Sequence, residues 1–167
     1  SEKLIPLTIV NILLGKPLPV YGDGLQVRDW LHVDDHCAAI ALALTRGKPG
    51  EVYNVGGNSE TTNIEIVRRL CGLVDEAVAA RADLRASFPS APAAQSKRAA
   101  DLITHVRDRL GHDRRYAINY AKAAGDLGYF PAHDLPRGLQ ATLAWYLDNT
   151  SWWNGLLGRD YAEWLQK

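Results

Sequence analysis

The segment DRLGHDRRYAI, from Asp108 to Ile118, concentrates side chains of the kind that bind anions. Guanidinium groups form paired, charge-assisted hydrogen bonds with phosphate oxygens, and such bonds are stronger than those between neutral groups. The sequence therefore predicts an anion site in this segment. Its side chains are Arg109, His112, Arg114 and Arg115, grouped around Gly111.

The composition limits what such a site could serve. The chain has 167 residues, 47% of them hydrophobic, and its formal net charge is zero. These values predict one ordinary domain with a buried core and remove the whole-protein electrostatic argument for binding nucleic acid or an anionic membrane. The longest apolar run, Cys37 to Leu44, is far shorter than the roughly 20 residues that span a bilayer. The N-terminal segment lacks a signal-peptide pattern, so we expect a cytoplasmic protein.

The two cysteines predict no special chemistry. Cys37 and Cys71 each fall inside a predicted helix, without CxxC spacing and without a second ligand nearby. Both are therefore expected to be buried free thiols. We expect neither a disulfide nor a metal site.

Four helices carry clear start or stop signals. Apolar spacing and capping residues predict them at 3–14, ended by Gly15; at 62–80, opened by the capping-box pair Thr62 and Glu65; at 119–128, opened by Asn119; and from Asp134 onward. An extended PLPVY segment and a turn at 23–24 follow the first of these helices.

The residues between the turn at 23–24 and the helix predicted at 62–80 predict a sheet. Residues 27–33 alternate enough to form a strand, and Asp34 is a natural N-cap for a helix to Arg46. The alanine and leucine content of this helix predicts deep burial. A short strand at 51–55 follows it closely, in the βαβ-like rhythm of a parallel sheet.

An alanine-rich stretch separates these elements from the anion segment. Residues 77–100 contain prolines and serines and lack a clear apolar face, which predicts a helix end followed by a mobile low-complexity loop. Residues 102–106 then predict a second short strand that leads directly into the anion segment.

Two further motifs accompany the anion segment, YGDGLQVRDWLHVDD at 21–35 and EVYNVGG at 51–57. In this order the three motifs resemble the C-terminal half of the dTDP-glucose 4,6-dehydratases, which are extended short-chain dehydrogenase/reductases. The resemblance covers nearly the whole chain apart from the alanine-rich stretch and the last few residues. It implies an α/β fold in which residues 1–167 form the C-terminal substrate-binding portion, with a few strands of an incomplete Rossmann-type sheet.

The resemblance also implies an activity and partners. In the complete family enzyme, NAD takes a hydride from C4 of the dTDP-sugar, water is eliminated across C5 and C6, and the hydride returns to C6. Family members are usually homodimers. The N-terminal NAD-binding Rossmann portion is expected to lie outside this sequence, before Ser1, or to be a separately encoded half.

The groups for the redox chemistry are not found in this sequence. A dinucleotide site needs a glycine-rich turn that opens a helix, so that backbone amides meet the pyrophosphate. Gly22 and Gly24 imitate its first two glycines, but position 27 is valine and a strand is predicted to follow. None of the seven tyrosines has lysine four positions on, so the YxxxK pair of this superfamily is absent. We expect no catalytic residue, no NAD-binding residue and no turnover by this chain alone.

Binding residues follow from the resemblance, position by position. It implies that Arg28 faces the diphosphate and that Arg109 and His112 contact the phosphates and the nucleoside. Tyr21 matches a position that stacks on thymine or packs against it, and Tyr161 would close the site from the tail. The other matched positions are Lys3 and Leu4, at the start of the helix over the nucleotide, and Asn63, in place of a substrate-binding asparagine.

Each of these residues has a purely structural alternative. Arg28 could pair with Asp29 or Asp35 at the surface, a weak interaction without function. The two tyrosines could be ordinary amphipathic side chains between surface and core. Lys3 lies next to the terminus, where fraying would leave it solvated, and Asn63 could be only a polar first-turn residue.

One departure from the family pattern and two rival hypotheses complete the prediction. Leu110 stands where the family usually has proline, which leaves the backbone freer and predicts a looser anion site. A nucleotide-sugar epimerase or decarboxylase is the rival within the superfamily, and the RLGHDRRYAI string argues against it. A non-catalytic truncated remnant or binding module is the rival from another class. A nucleic-acid surface is disfavoured because Asp101, Asp108 and Asp113 interrupt the basic cluster.

Overall fold

A computed structural model describes residues 3–155 and Leu157. Its helices and strands are α1 (Leu4–Leu13), β1 (Leu18–Tyr21), β2 (Val27–Asp29), α2 (Val33–Arg46), β3 (Glu60–Thr62), α3 (Asn63–Ala80), α4 (Ala82–Ser87), β4 (Ile103–Val106), α5 (Ala121–Leu127) and α6 (Leu135–Asp148). The mixed α and β content confirms the predicted fold class. The strands form two small sheets, β1 with β4 and β2 with β3.

The chain divides into two compact units. Unit 1 comprises Ser1–Pro19, Ile66–Thr104 and Leu139–Lys167, and unit 2 comprises Val20–Glu65 and His105–Gly138. Every segment that the sequence linked to phosphate chemistry lies in unit 2.

The core of unit 1 is built on α1 and α3. The predicted first helix is confirmed, and Ile9, Ile12 and Leu13 on it are fully buried. Gly15 follows this helix with a positive φ of 65°, and a Cβ there would lie 2.3 Å from the Ser90 carbonyl oxygen. Only glycine fits that position without a shift of the backbone. The apolar side of α3 supplies the rest of this core, with Ile66, Val67, Leu70, Val74 and Val78 buried.

The alanine-rich stretch is ordered into short helical turns, which the prediction of a loop missed. It contains α4 and two 3₁₀ turns, Pro92–Gln95 and Ala99–Leu102. Ala91 and Ala99 are fully buried, and the Ala99 N–H donates to Asp75 Oδ2 at 2.9 Å. Small side chains allow these turns to pack closely, so their low complexity does not mean low order.

The sheet of unit 2 joins the segments that carry the candidate site. β2 and β3 are antiparallel, and Arg28 lies opposite Thr61. The strand expected over 27–33 is shorter, because it ends at Asp29 and α2 begins at Val33. A single parallel bridge between Val27 and Arg115 attaches the anion segment to β2.

Two predictions for α2 are wrong. The N-cap is His32, whose Nδ1 accepts the Asp34 N–H at 3.3 Å, so Asp34 lies inside the first turn. The expected deep burial is also absent, since only Asp35 and Ala39 are buried on this helix. Its end at Arg46, before Gly47, is as predicted.

The strand expected at 51–55 does not form. Among the described residues, no strand runs alongside it to accept its ladder hydrogen bonds, and Val52 is 77% exposed. Tyr53 and Val55 contact a small core made by Ala39, Ala123, Leu127 and Tyr129.

The remaining predicted elements are present. Asn119 Oδ1 accepts the Ala121 N–H at 2.9 Å at the start of α5, which Gly128 ends with a φ of 74°. The Thr62 hydroxyl accepts the Glu65 N–H at 3.3 Å and caps α3. Asp134 Oδ1 caps α6 in the same way, by accepting the Arg137 N–H at 2.8 Å. None of the described helices is long and apolar enough to cross a membrane.

Candidate functional site

Three residues assigned to the nucleotide site lie together in unit 2. The Arg109 guanidinium carbon is 4.9 Å from the centroid of the Tyr21 ring, and His112 meets the same ring edge-on at 6.2 Å between centroids. Arg109 Nη2 lies 3.1 Å from His112 Nε2. Tyr21 ends β1, and the other two residues follow β4, the strand that pairs with β1. The sheet therefore brings together residues that are far apart in sequence.

Asp108 organises this group. Its Oδ1 lies 2.6 Å from His112 Nδ1 and accepts the Arg109 backbone N–H at 2.8 Å. The hydrogen bond from His112, with smaller contributions from the Arg109 backbone and Gln26, holds the pKa of Asp108 below its ordinary value. A carboxylate accepts only, so Nδ1 carries the proton and Nε2 accepts from Arg109. The imidazole is thereby fixed in one tautomer.

Arg28 is held beside the anion segment from the other side. Its Nη1 donates to the Val27 carbonyl at 2.7 Å and its Nη2 to the Asp113 carbonyl at 2.9 Å. The guanidinium carbon lies 4.3 Å from the centroid of the Tyr116 ring, a cation–π distance. The Tyr116 hydroxyl bonds Asp113, which raises the pKa of the phenol and keeps it neutral.

The surface ion pair considered for Arg28 does not form among the described residues. Asp29 instead accepts the backbone N–H groups of Gly57 and Ser59, at 3.0 and 2.8 Å. Asp35 is buried and accepts from the Ala132 and His133 backbone. Both carboxylates therefore accept hydrogen bonds from the backbone of loops and do not pair with Arg28.

The other two arginines of the anion segment are neutralised. Arg114 Nη1 donates to both carboxylate oxygens of Asp23, at 2.9 and 3.0 Å, and this contact lowers the pKa of Asp23. Arg115 donates to Glu60, with Nη2 2.6 Å from Oε2. The predicted cluster of four basic side chains is thus divided into two ion-paired arginines and the pair Arg109 and His112.

Asn63 lies in the same unit, at the first position of α3. Its backbone N–H donates to the Gln26 carbonyl at 3.0 Å. It directly follows Thr62, which pairs with Val27 next to Arg28. The structure therefore places Asn63 close in the fold to Arg28, and its role as a ligand residue stays a prediction.

The remaining assigned residues lie elsewhere. Lys3 and Leu4 belong to unit 1, where Lys3 is the exposed N-cap of α1 and Leu4 is the first helical residue. Tyr161 lies outside the described residues. The ligand roles of these three residues also stay predictions.

Three side chains in this group were not selected from the sequence. Asp108 was noted only as an interruption of the basic cluster, although its position four residues before His112 was a usable signal. Gln26 and Tyr116 carry no charge, and their contacts with Asp108 and Arg28 join segments that are far apart in sequence. Only the fold reveals them.

One group of described residues could offer ligand atoms to a metal ion. His32, Asp34 and His133 place three such atoms within 4.8 Å of one another. The two imidazoles stack at 4.1 Å, and each Nδ1 is already hydrogen-bonded, to the Asp34 N–H and to Asp35 respectively. Lone pairs in stacked rings run side by side instead of converging on one point, so we assign no metal here.

The turn at Gly22 and Gly24 also does not fit the pyrophosphate of NAD. Gly24 N–H donates to the Tyr21 carbonyl at 3.1 Å, which closes a turn, and the chain continues into β2 instead of a helix. A helix N-terminus is the feature that such a site requires. The cofactor of a dehydrogenase must therefore be held by other residues than these.

Comparison with known proteins identifies the family. A family model described as GDP-mannose 4,6 dehydratase matches residues 1–142. The chain belongs to this family. A dTDP-glucose 4,6-dehydratase of Neisseria meningitidis serogroup B is 49% identical over 160 residues, which cover 96% of this chain and 42% of that protein. This agreement confirms the resemblance stated from the motifs, including its restriction to the C-terminal half.

Solved structures agree with the sequence relatives. The chain matches dTDP-glucose 4,6-dehydratase from Bacillus anthracis, in complex with NAD, with a TM-score of 0.74 and 45% identity, over 93% of this chain and 42% of that one. It matches the enzyme from Streptomyces venezuelae, also with NAD bound, with a TM-score of 0.76 and 39% identity, over 93% of this chain and 41% of that one. The chain thus spans about two fifths of the length of these relatives.

Proposed function

We propose that this chain is the nucleoside-diphosphate-binding portion of a dTDP-glucose 4,6-dehydratase. Sequence identity to enzymes of that name supports the substrate class. The observation that carries the proposal is which arginines around the anion segment are paired with carboxylates and which are not. Arg114 and Arg115 face carboxylates, whereas the guanidiniums of Arg28 and Arg109 bond only carbonyl oxygens and an imidazole within the described chain.

The unpaired charges favour an anion as the missing partner. A guanidinium retains donors after bonding a carbonyl or an imidazole, because it has five N–H groups. Each of the two also lies against an aromatic ring, Arg28 against Tyr116 and Arg109 against Tyr21. These contacts hold the cations in place without neutralising them. Two oriented, unneutralised guanidiniums suit the two phosphates of a nucleoside diphosphate.

Tyr21 extends the proposed site toward the base. Tyr21 is 38% exposed as a residue although its ring contacts both Arg109 and His112. An aromatic face that remains accessible beside a phosphate-binding arginine can stack on a pyrimidine. This arrangement supports the proposed roles of Tyr21, Arg109 and His112 in one site.

The same proposal assigns a partner to an exposed apolar stripe on α2. Val33, Ile40 and Leu44 lie on this helix with 64%, 49% and 83% of their surface exposed. The relatives are more than twice as long as this chain and bind NAD, which the residues here do not fit. We assign the stripe to contact with the NAD-binding portion, upstream or separately encoded. A cytoplasmic location is part of the same proposal and rests on the family alone.

Calorimetric titration tests the diphosphate site. Thymidine diphosphate should bind more tightly than thymidine, and Arg28→Ala or Arg109→Ala should each weaken the diphosphate by about tenfold to a hundredfold, the effect of losing roughly 1.5–3 kcal/mol of charge-assisted bonding. Arg115→Ala is the matched control, because that arginine belongs to the same segment but is paired with Glu60. Circular dichroism should confirm unchanged folding.

Two outcomes would contradict the proposal. Equal affinity of the wild type, Arg28→Ala and Arg109→Ala would show that these arginines do not hold the phosphates. Absence of binding, both alone and with the upstream portion of a relative supplied, would show that the site does not take a nucleoside diphosphate.

A further inference from the structure

Gln26 links the two halves of the candidate site from inside the protein. Its side chain is buried, with 1% exposed, and its Nε2 donates to Asp108 Oδ2 at 2.9 Å across 82 residues of sequence. Its backbone carbonyl accepts the N–H of Asn63. Gln26 therefore contacts both the start of α3 and the first residue of the anion segment.

The contact with Asp108 is transmitted to Arg109. Asp108 accepts from Gln26 through Oδ2 and from His112 through Oδ1. His112 in turn accepts from Arg109 through Nε2. In this series Arg109 donates to His112, and His112 donates to Asp108 Oδ1. Gln26 donates to the other carboxylate oxygen, Oδ2. A shift of the Asp108 carboxylate would therefore release His112 and the guanidinium.

The absence of a side chain at Gly22 leaves room for Asp108. Gly22 has a φ of 58°, and a Cβ there would lie 2.9 Å from Asp108 Oδ2. The Gly22 N–H donates to the Val106 carbonyl at 2.9 Å, which fixes this glycine against the end of β4. Asp108 thus lies between the Gly22 backbone and the Gln26 amide.

The Gln26 side chain also has an unsatisfied polar atom, which argues that this residue does more than fill space in the core. Its Oε1 is buried without a hydrogen-bond partner among the described residues. An unsatisfied buried acceptor is unfavourable, and an apolar side chain of similar size would remove it. Among the described residues, the hydrogen bond from Nε2 to Asp108 is therefore the one polar contact of this side chain.

We propose that Gln26 is a positioning residue of the diphosphate site, which holds Asp108 and through it fixes the tautomer of His112 and the placement of Arg109. The identity of the ligand in this inference rests on the proposed function. The hydrogen-bond series does not depend on it. Gln26 is not expected to touch the ligand.

Three variants test the role of Gln26. Gln26→Leu removes the donor at similar volume and also removes the unmet acceptor. Gln26→Glu places a second carboxylate against Asp108. The double variant Gln26→Glu with Asp108→Asn exchanges the two groups, so that the new amide at position 108 donates to the new carboxylate and still offers an oxygen to His112. Gln95→Leu is the control, because Gln95 is a surface glutamine of unit 1.

Nitrogen NMR of His112 in the ligand-free full chain gives the first measurement. We expect the Nδ1-protonated tautomer in the wild type and in the exchanged double variant, and a mixture of tautomers in Gln26→Leu and Gln26→Glu. The melting temperature of Gln26→Leu should stay close to that of wild type, because the variant also removes the unmet acceptor. An unchanged His112 tautomer in Gln26→Leu overturns the proposal.

Affinity for thymidine diphosphate gives the second measurement. Gln26→Leu should weaken it by about tenfold, as for one lost charge-assisted contact, and the double variant should restore most of it. Thymidine affinity should fall less, because thymidine lacks the phosphates that the Arg109 guanidinium is proposed to bind. Equal weakening of both ligands, or failure of the exchange to restore binding, also overturns the proposal. If the wild type does not bind the diphosphate, the proposed function fails, and the His112 tautomer still decides the role of Gln26.

Discussion

The guanidinium of Arg109 lies over the ring of Tyr21, with its central carbon 4.9 Å from the ring centroid. Tyr21 is the last residue of β1, and Arg109 lies just beyond the end of β4, so pairing of these two strands creates the contact. The ring supports the cation without supplying a counter-charge. A phosphate can then approach the guanidinium without first displacing a carboxylate.

Replacement of Tyr21 should weaken thymidine diphosphate binding through Arg109. Tyr21→Leu removes the aromatic face, and an exposed cation–π contact is worth about 0.5–1 kcal/mol, so affinity should fall about two- to fivefold. Tyr21→Phe keeps the face and is the matched control. Calorimetry on both variants, alone and combined with Arg109→Ala, should show a smaller loss once the arginine is gone, because only direct stacking on the base then remains. Equal affinity of the leucine and phenylalanine variants would contradict the stacking role.

The sequence suggested the charged residues of this candidate site but not the residues that support them. Arg28, Arg109 and His112 stand in motifs whose order is specific, so resemblance alone could find them. Gln26 has no charge and no spacing to mark it, because its function arises from a contact 82 residues away. Local patterns carry no information about such a distance.

The helices and strands show the same difference between features set by neighbouring residues and features set by residues far away in the sequence. The helix starts marked by Thr62 and Asp134 were predicted because a cap acts within three residues of itself, whereas the N-cap of α5 is Tyr120 and not the predicted Asn119. The strand expected at 51–55 was not formed, since a strand exists only when a neighbour accepts its hydrogen bonds. The burial of α2 was predicted wrongly for a similar reason, because apolar composition does not reveal which chain segment covers it.

Loss of the Asp35 carboxylate should destabilise the fold. Asp35 is buried and accepts the backbone N–H groups of Ala132 and His133, at 3.1 and 3.0 Å, and bonds the His133 ring. Burial alone would raise its pKa, but these bonds outweigh burial and lower the pKa below 3.8. Asp35→Asn should lower the free energy of unfolding by about 1–3 kcal/mol at neutral pH, measured by urea denaturation. Asp34→Asn, at a 74% exposed neighbouring side chain, is the control.

The same carboxylate predicts the sign of the pH dependence. A group whose pKa is lower in the folded state stabilises fully above its ordinary value and loses that contribution as the pH falls through the folded value. Wild-type stability should therefore fall below pH 3.8, whereas Asp35→Asn should lose less over the same range. Parallel curves for the two proteins would contradict the assignment.

The two cysteines should differ in reactivity. Cys37 is exposed on α2, which corrects the prediction that both thiols are buried, while Cys71 is buried in α3. Burial raises the pKa of Cys71 to about 12, so it forms almost no thiolate near neutral pH. Iodoacetamide should label one thiol in the native monomer and two in urea, as counted by mass spectrometry. Cys37→Ser should abolish native labelling, and native labelling of Cys71 would contradict the structure.

The chain expressed alone should self-associate through the apolar stripe on α2. Ile40 and Leu44 are 49% and 83% exposed, and exposed apolar patches of this kind promote association. Sedimentation should show oligomers for the wild type and a shift toward monomer for Ile40→Glu with Leu44→Glu. Thr45→Glu adds charge at an exposed polar position of the same helix and should leave the association unchanged. A wild-type monomer that melts cooperatively would contradict this assignment.

The chain alone should not convert dTDP-glucose, even with NAD supplied. None of its tyrosines has lysine four positions on, and the turn at Gly22 and Gly24 leads into a strand, so neither the proton-transfer pair nor a pyrophosphate site is present. The assay is formation of the 4-keto-6-deoxy sugar above a control without protein. Adding the upstream portion of a full-length relative should supply both missing groups, and product formation by that mixture should then require Arg28 and Arg109. Product formed by the chain alone would contradict the assignment of the redox chemistry to other residues.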